Sequence, residues 1–332
     1  MTSKLVAAHT APVDNPVSDL VDWLELKVLE SEFNAFNLNE LASLNEDSED
    51  EENEDFSEQD LMNEEKIIEA AQEIETRIKA LKEAYPFELS NGDKQIRLKK
   101  DESNIGRWIY LYCLFISHRK PNGVNVNEFE LSNQDRDLLQ IASVYAAVGH
   151  FDEAVSFGWP RPDSTNFMAA LENTFKSMGE GVVRDHFLPG VSPYANDGEI
   201  DLVAWQPMND GMPGKLYMLG QVATGSNWKD KSILSAIDYI HRTYFMAYPP
   251  SPVIGAMFIP FCIDGEYGGS KRDVIENLTQ QFGIIYYRLR LPYYALLGTK
   301  KDTFPRADEQ PKLKAFIKSF LGDESFENAF AA

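Results

Sequence analysis

Two polar side chains interrupt apolar, β-prone runs near residue 200, and they are the strongest candidates for chemistry in this chain. Asp201 lies in the run IDLVAW and Gln221 in the run LYMLGQVA. A carboxylate in such a run is rarely buried without a partner or a metal ion. Mg²⁺ is a hard cation that binds oxygen ligands. Asp201 is therefore the best candidate metal ligand, and Gln221 offers an amide oxygen beside it.

The elements that must position these residues follow from the segment between and after the two runs. Residues 206–214 are rich in Pro, Gly, Asn and Asp, which are turn residues, so the flanking runs are predicted to be antiparallel strands. Paired in this way, Asp201 and Gln221 point into one space at the strand ends. A helix is predicted to start at residues 225–227, with Ser226 or Asn227 as its N-cap and with Lys229 and Lys231 in its first turn.

Further candidates surround this pair. Glu199 shares the face of Asp201, because side chains alternate along a strand. Glu172 flanks the apolar face of a helix predicted for residues 163–178. Lys229 and Lys231 differ by about 200° around a helix, so at most one of them faces the site.

Each candidate also has a plain structural interpretation. Asp201 is then a strand-end carboxylate bonded to a backbone N–H, and Gln221 is an amide that hydrogen-bonds at the sheet edge. The remaining candidates, Glu172 and the two lysines, are then solvated surface residues.

The pattern of strands and motifs resembles the PD-(D/E)XK superfamily of nucleases, the fold of restriction endonucleases. In that family one strand carries a metal-binding Asp, and the next carries Glu or Gln, one variable residue and Lys. Residues 198–201 look like the first strand, and Gln221 looks like the start of the second motif. The chain departs at Ala223, where the family has Lys. Some members carry that Lys on the following helix, which makes Lys229 and Lys231 the candidates.

The resemblance covers roughly residues 163–291 and implies an α/β fold with a restriction-endonuclease-like αββαβ core behind a mostly helical N-terminal module. It implies metal-dependent hydrolysis of phosphodiesters by a DNA endonuclease, plausible within a prokaryotic restriction or anti-phage defence system with partner proteins. The implied metal is Mg²⁺ or Mn²⁺. The implied metal ligands are Asp201, Gln221 and Glu199. The implied catalytic residues are Asp201, Gln221, Lys229, Lys231 and Glu172.

Two other functions stay open. Gln221 and Ala223 favour a degenerate core that binds nucleic acid or a protein partner without cutting. The second open function is that of a structural assembly protein, which docks through its acidic segment.

The charge distribution argues against simple nucleic-acid binding. The net charge is −22, and residues 1–100 hold 25 of the 53 acidic but only 10 of the 31 basic side chains. Residues 46–60 contain ten acidic residues and no basic one. This run is predicted to be a disordered linker, or else a DNA mimic that covers a basic cleft. Phosphate binding would need a local basic patch or a bound metal.

Several classes of protein lack support in the sequence. No run of 18 apolar residues and no secretory signal are present, so a cytoplasmic protein without a membrane span is expected. The two cysteines, Cys113 and Cys262, are too few for a cysteine metal site. Motifs for ATP or dinucleotide binding are also missing.

The predicted domain organisation has five parts. They are N-terminal helices in residues 1–45, an acidic linker in 46–60, a helical module with a short hairpin in 61–155, the nuclease-like core in 156–325, and an exposed tail in 326–332. Within the core, the predicted order from residue 163 is helix, strand, strand, helix, strand, helix, strand.

Overall fold

The fold is described from a computed structural model. It describes residues 5, 7, 10–41, 56–100, 104–118, 131–158, 161, 165–192, 198–301 and 305–330, without the side chains of residues 56–63. The chain forms two compact units. Unit 1 comprises Met1–Ser132, Arg288–Tyr293 and Gln310–Ala332, and unit 2 comprises Asn133–Tyr287 and Tyr294–Glu309.

Unit 1 is mostly helical and has one small antiparallel sheet. Its helices are α1 (Val17–Glu30), α2 (Phe56–Leu81), α3 (Ile105–Ser117), α9 (Gln310–Leu321) and α10 (Asp323–Phe330). Its strands are β1 (Ala35–Asn37), β2 (Phe87–Ser90) and β3 (Gln95–Leu98), in the order β1-β3-β2. The pairing of β2 with β3 confirms the predicted hairpin.

A buried ionic network joins the helices of unit 1. Arg77 on α2 donates to Asp22 at 2.6 Å and to Glu25 at 2.9 Å on α1, and all three side chains are buried. Arg288 donates to the other oxygen of Asp22. Buried charges are tolerated only when they are paired and hydrogen-bonded in this way.

Unit 2 is built on a mixed five-stranded sheet. Its strands are β4 (Glu153–Ser156), β6 (Leu202–Gln206), β7 (Leu216–Val222), β9 (Val253–Phe258) and β10 (Ile284–Tyr286), in the order β10-β9-β7-β6-β4. The pairs β4–β6 and β6–β7 are antiparallel, and the pairs β7–β9 and β9–β10 are parallel. A separate ribbon pairs β5 (Val182–Val183) with β8 (Phe245–Ala247).

The helices of unit 2 pack around this sheet. They are α4 (Asn133–Phe151), α5 (Phe167–Met178), α6 (Ile233–Tyr244) and α7 (Lys271–Phe282), while α8 (Leu291–Gly298) has residues in both units. On α5 the predicted apolar face is confirmed, because Phe167, Leu171, Phe175 and Met178 are all buried. They share a core with Val203 of β6 and Leu219 of β7. The predicted α/β class and the order of the main elements are therefore confirmed.

Some expectations differ from the structure. The prediction of an exposed tail is wrong, because Phe326 and Phe330 on α10 are buried against Trp108. The acidic run falls partly outside the described residues, at 46–55, and its remainder opens α2. The predicted boundary at 155/156 falls inside β4, a short strand that was not predicted. Among the described helices, none combines the length and hydropathy that crossing a bilayer requires.

Candidate metal site of unit 2

Asp201 and Gln221 lie together where β6 begins and β7 ends. The antiparallel register ends with Leu202 opposite Gly220; Asp201 is the residue before β6, and Gln221 is the next residue along β7. The backbone N–H of Asp201 donates to the Gly220 carbonyl at 2.9 Å. Its carboxylate oxygen Oδ2 accepts from the N–H of Val222 at 2.8 Å. The Asp201 side chain is therefore tied to the strand that carries Gln221.

Two glycines let the chain close around this corner. A Cβ on Gly220 would lie 2.9 Å from the Phe258 ring and 3.0 Å from Leu202, so only glycine fits between them. Gly198 has φ of 60°, and a Cβ there would lie 2.4 Å from the ring of Phe167 on α5. The turn that leads into Asp201 thus depends on a residue without a side chain.

The backbone of Asp201 is held from a second direction. Its carbonyl oxygen accepts hydrogen bonds from the N–H of Phe157 and the N–H of Gly158, at 2.7 and 3.1 Å. The Nε2 of Gln140 on α4 donates to the same carbonyl and also to the Ser156 hydroxyl. These contacts fix the position from which the Asp201 carboxylate projects.

The Gln221 side chain carries a buried acceptor that the described residues leave unused. Gln221 is 5% exposed. Its Nε2 donates to Glu199 Oε2 at 3.4 Å, which turns the amide oxygen away from that carboxylate. No donor among the described residues lies within hydrogen-bonding distance of Gln221 Oε1. Leaving such an atom unpaired costs about 1–3 kcal/mol, so this buried oxygen is available to a ligand.

Glu199 reaches this site by a different route from the one expected. It does not continue the strand alternation, because its φ is 71° and it lies in the turn with Gly198 before β6. The expectation that it shares a strand face with Asp201 is therefore wrong. Its exposed carboxylate instead accepts a hydrogen bond from the Gln221 amide and so orients the Gln221 side chain.

The two candidate lysines are not in the first turn of a helix. A short 3₁₀ segment, Ser226–Asp230, follows β7, and α6 begins only at Ile233. Lys229 is exposed and pairs with both oxygens of Glu266 at 2.9 and 3.0 Å. Lys231 is exposed just beyond the 3₁₀ segment. The family's usual Lys position is held by Ala223, a buried residue whose N–H donates to the Phe258 carbonyl.

Glu172 lies on the solvent side of α5. It is exposed, whereas its neighbours Leu171 and Phe175 are buried. The N-terminus of this helix is set by Asn166, whose side chain accepts from the N–H of Ala169 at 2.9 Å. Residues 162–164 and 193–197 lie outside the described residues.

The donor set at this corner fits a hard divalent cation. Mg²⁺ is usually held by one or two carboxylates and completes its shell with water and substrate oxygens. Asp201 supplies a carboxylate that the N–H of Val222 holds in place. Gln221 supplies a buried amide oxygen that accepts no hydrogen bond from the described residues. Glu199 brings a further negative charge within contact of Gln221.

A second acidic cluster, in unit 1, fits a cation less well. Ligand atoms of Asp19, Asp22 and His118 lie within 4.8 Å of one another. Burial alone would raise the pKa of Asp22, but the Arg288 and Arg77 guanidiniums and His118 outweigh it and hold that pKa well below its usual range. A metal there would have to displace two guanidiniums that already neutralise Asp22, so this cluster is an ionic network.

Two features of the site escaped the sequence. Glu266 is 37 positions from Lys229, and no local sequence pattern predicts their salt bridge. The positive φ of Glu199 could not be predicted from its residue type, although the preceding Gly198 is a turn signal that could have placed Glu199 in a turn. Comparison with known proteins adds no assignment: no family model matches the chain, and neither the curated proteins nor the solved structures give a match.

Proposed function

We propose that unit 2 binds Mg²⁺ or Mn²⁺ at Asp201 and Gln221 and hydrolyses phosphodiester bonds of nucleic acid. The observation that carries the proposal is the buried Gln221 Oε1, which has no donor among the described residues and stands beside a fixed carboxylate. The resemblance of the motifs to PD-(D/E)XK nucleases supports it. The order helix, antiparallel strand pair, helix and parallel strand in α5, β6, β7, α6 and β9 is in keeping with it.

Each residue has a distinct task in this proposal. Asp201 supplies the charge that holds the cation, and the Val222 N–H keeps its carboxylate from rotating. Gln221 supplies a neutral oxygen, and Glu199 orients it by accepting from its Nε2. A bound cation of this kind polarises a phosphoryl oxygen and lowers the pKa of an attacking water.

The proposed substrate is DNA, which rests on the resemblance, as does a role in a restriction or anti-phage system with partner proteins. Because the chain carries a net charge of −22, contact with a polyanion depends on local features. A cation at Asp201 and Gln221 is one such feature, since it would neutralise charge where the phosphate lies.

A second candidate function is nucleic-acid or partner binding without cleavage. Two observations favour it: a methyl group occupies the family's Lys position at Ala223, and Lys229 is paired with Glu266. In the family the Lys places a cation near the scissile phosphate, and the Lys229–Glu266 pair would have to open before Lys229 could take that role.

A cleavage assay separates the two functions. Purified full-length chain is incubated with single- and double-stranded DNA and with RNA, in Mg²⁺, Mn²⁺ or EDTA. We expect cutting with metal, none in EDTA, and none by Asp201→Asn. The matched control is Asp238→Asn, which removes the same charge from an exposed site on α6 and should cut like the wild type. Equal cutting by Asp201→Asn and wild type would contradict the proposal.

The lysines are tested in the same assay. Only one of Lys229 and Lys231 is expected to take part in cleavage. We expect Lys→Met at that residue to slow cleavage by a factor of about 10² to 10³, comparable with losing one preorganised donor. The other should be nearly silent. Glu266→Gln frees Lys229 from its partner and should speed cleavage if Lys229 is the acting residue. If neither lysine matters while Asp201→Asn is inactive, the cation near the phosphate comes from elsewhere.

A further inference from the structure

Unit 1 contains a cavity of about 540 Å³, and four of its eight described lining residues are cationic. That volume lies within the range of roughly 300–1,000 Å³ typical of sites for small ligands. Its lining includes Phe33, Glu88, Arg97, Lys99, Lys100 and Arg107. Among the described lining residues, four positive charges face one negative charge, in a protein whose net charge is −22.

The cations are arranged in two layers. Arg107 lies deepest, at 9% exposed, and its Nε donates to the backbone carbonyl of Glu83. Arg97, at the exposed rim, pairs with Glu88 at 2.6 Å. Lys99 is half-buried and donates to the Tyr85 carbonyl, and Lys100 is exposed. Glu88, the one acidic residue among the described lining residues, is thus matched by Arg97, which leaves an excess of positive charge in the described part of the wall.

These like charges oppose one another. Burial lowers the pKa of Lys99, and the neighbouring Arg107 lowers it further, while Glu88 only partly compensates. An anion between the two cations would relieve this repulsion and favour the charged form of Lys99. The cavity is therefore electrostatically suited to a negatively charged guest.

The rim adds an aromatic ring. Phe33 is 88% exposed, on a turn after α1 in which Asn34 adopts the left-handed conformation at φ of 52°. The N–H of Phe33 donates to the Ser31 hydroxyl at 3.2 Å, which helps to fix the turn. One exposed aromatic residue alone means little. An aromatic ring beside cationic side chains is, however, a combination that binds nucleotides, because the ring stacks on the base and the cations contact the phosphate.

We propose that this cavity binds a nucleoside phosphate, free or at the end of a strand, with the phosphate against Lys99, Lys100 and Arg107 and the base against Phe33. The site belongs to unit 1 and shares no residue with the proposed site of unit 2, so the proposal holds whether or not unit 2 cleaves nucleic acid. It supplies a local basic patch of the kind that phosphate binding by an acidic chain requires.

Binding is measured on the full-length chain by calorimetry in EDTA, so that metal-dependent hydrolysis plays no part. The ligands are AMP, ADP, inorganic phosphate, and a short single-stranded DNA with or without a 5′-phosphate. The informative variants keep the fold, because Phe33 and Lys100 are exposed. The matched control is Lys79→Met, which removes the same charge as Lys100→Met from a side chain of unit 1 that is 75% exposed.

We expect Phe33→Ala to weaken the binding of the nucleotides by about 5- to 100-fold, the range for loss of one stacked base, and to leave the affinity for inorganic phosphate unchanged. Lys100→Met should weaken every phosphate ligand by about tenfold, as expected for one charge-assisted contact. Lys79→Met should change none of them.

The ligand arms separate the two sources of the phosphate. Tighter binding of AMP or ADP than of the 5′-phosphorylated strand assigns a free nucleotide, and the reverse order assigns a strand end. Either result supports the proposal. Binding of inorganic phosphate as tight as that of the nucleotides, with Phe33→Ala silent, would overturn it. So would the absence of binding by all five ligands, or equal losses in Lys100→Met and Lys79→Met.

Discussion

Replacing Gln221 with methionine should make the metal-free protein more stable while removing its response to metal. Methionine has a similar volume and an unbranched chain, so it fills the same space without a large cavity. The change deletes the buried Oε1 that lacks a donor among the described residues. It also deletes the long hydrogen bond from Nε2 to Glu199.

The two deletions have opposite signs. Removing an unsatisfied buried acceptor recovers about 1–3 kcal/mol, and losing a long, partly exposed hydrogen bond costs about 0.5 kcal/mol. The net expectation is a gain of about 0.5–2.5 kcal/mol in the free energy of unfolding. Mn²⁺ at 100 times its Kd would stabilise the wild type by about 2.7 kcal/mol, and this increment should shrink or vanish in Gln221→Met.

Urea denaturation in EDTA and in Mn²⁺, with hydrogen exchange of the β6 and β7 amides as a local probe, measures both effects. Glu180→Gln is the control, because Glu180 is a buried polar residue of unit 2 that accepts from the N–H groups of Gly214 and Lys215, at the end of β7 away from Gln221. It should destabilise the protein and keep the response to Mn²⁺. A loss of stability in Gln221→Met without metal, or an unchanged increment with Mn²⁺, would refute the reasoning.

Three further expectations concern the scaffold and are checked by urea denaturation. Leu171→Ala should cost about 2–5 kcal/mol, because Leu171 is fully buried on α5, and a cost near zero would place α5 outside the core. Arg77→Met should cost about 3–5 kcal/mol, since it removes the guanidinium paired with the buried Glu25 and one of the two paired with the buried Asp22, whereas Lys79→Met should cost little. At pH 7 Glu180→Gln should cost about 1.5–3 kcal/mol. Burial alone would raise the pKa of Glu180, but the Ser251 hydroxyl and the N–H groups of Gly214, Lys215 and Ser251 outweigh it and lower that pKa. The advantage of wild type over Glu180→Gln is therefore complete above the ordinary pKa of 4.5 and should fade as pH falls below it, and a constant difference would contradict this.

The core of the site followed from local sequence signals. A turn-rich segment between two β-prone runs sufficed to predict the antiparallel pairing of β6 with β7. That pairing brings the Asp201 carboxylate to the N–H of Val222, the residue after Gln221, at the end away from the turn. The face of α5 was equally readable, since Phe167, Leu171 and Phe175 recur at helical spacing.

Features that depend on distant residues were out of reach. The salt bridge from Arg288 to Asp22 spans 266 positions, and no local pattern encodes it. β4 was missed because it is four residues long, directly after a helix, and its strand character comes from pairing with β6. The cationic wall of the unit 1 cavity did leave a signal, the basic run that ends at Lys100 within an otherwise acidic region.

The most direct test of the metal site is a crystal of the full-length chain soaked in Mn²⁺ and examined by anomalous scattering. We expect a peak within about 2.5 Å of both the Asp201 carboxylate and Gln221 Oε1, with Glu199 in contact with the Gln221 amide. The same crystal shows whether the Asp19, Asp22 and His118 cluster takes the ion instead. A peak at that cluster with none at Asp201, or no peak at all, would contradict the assignment of Asp201 and Gln221 as metal ligands.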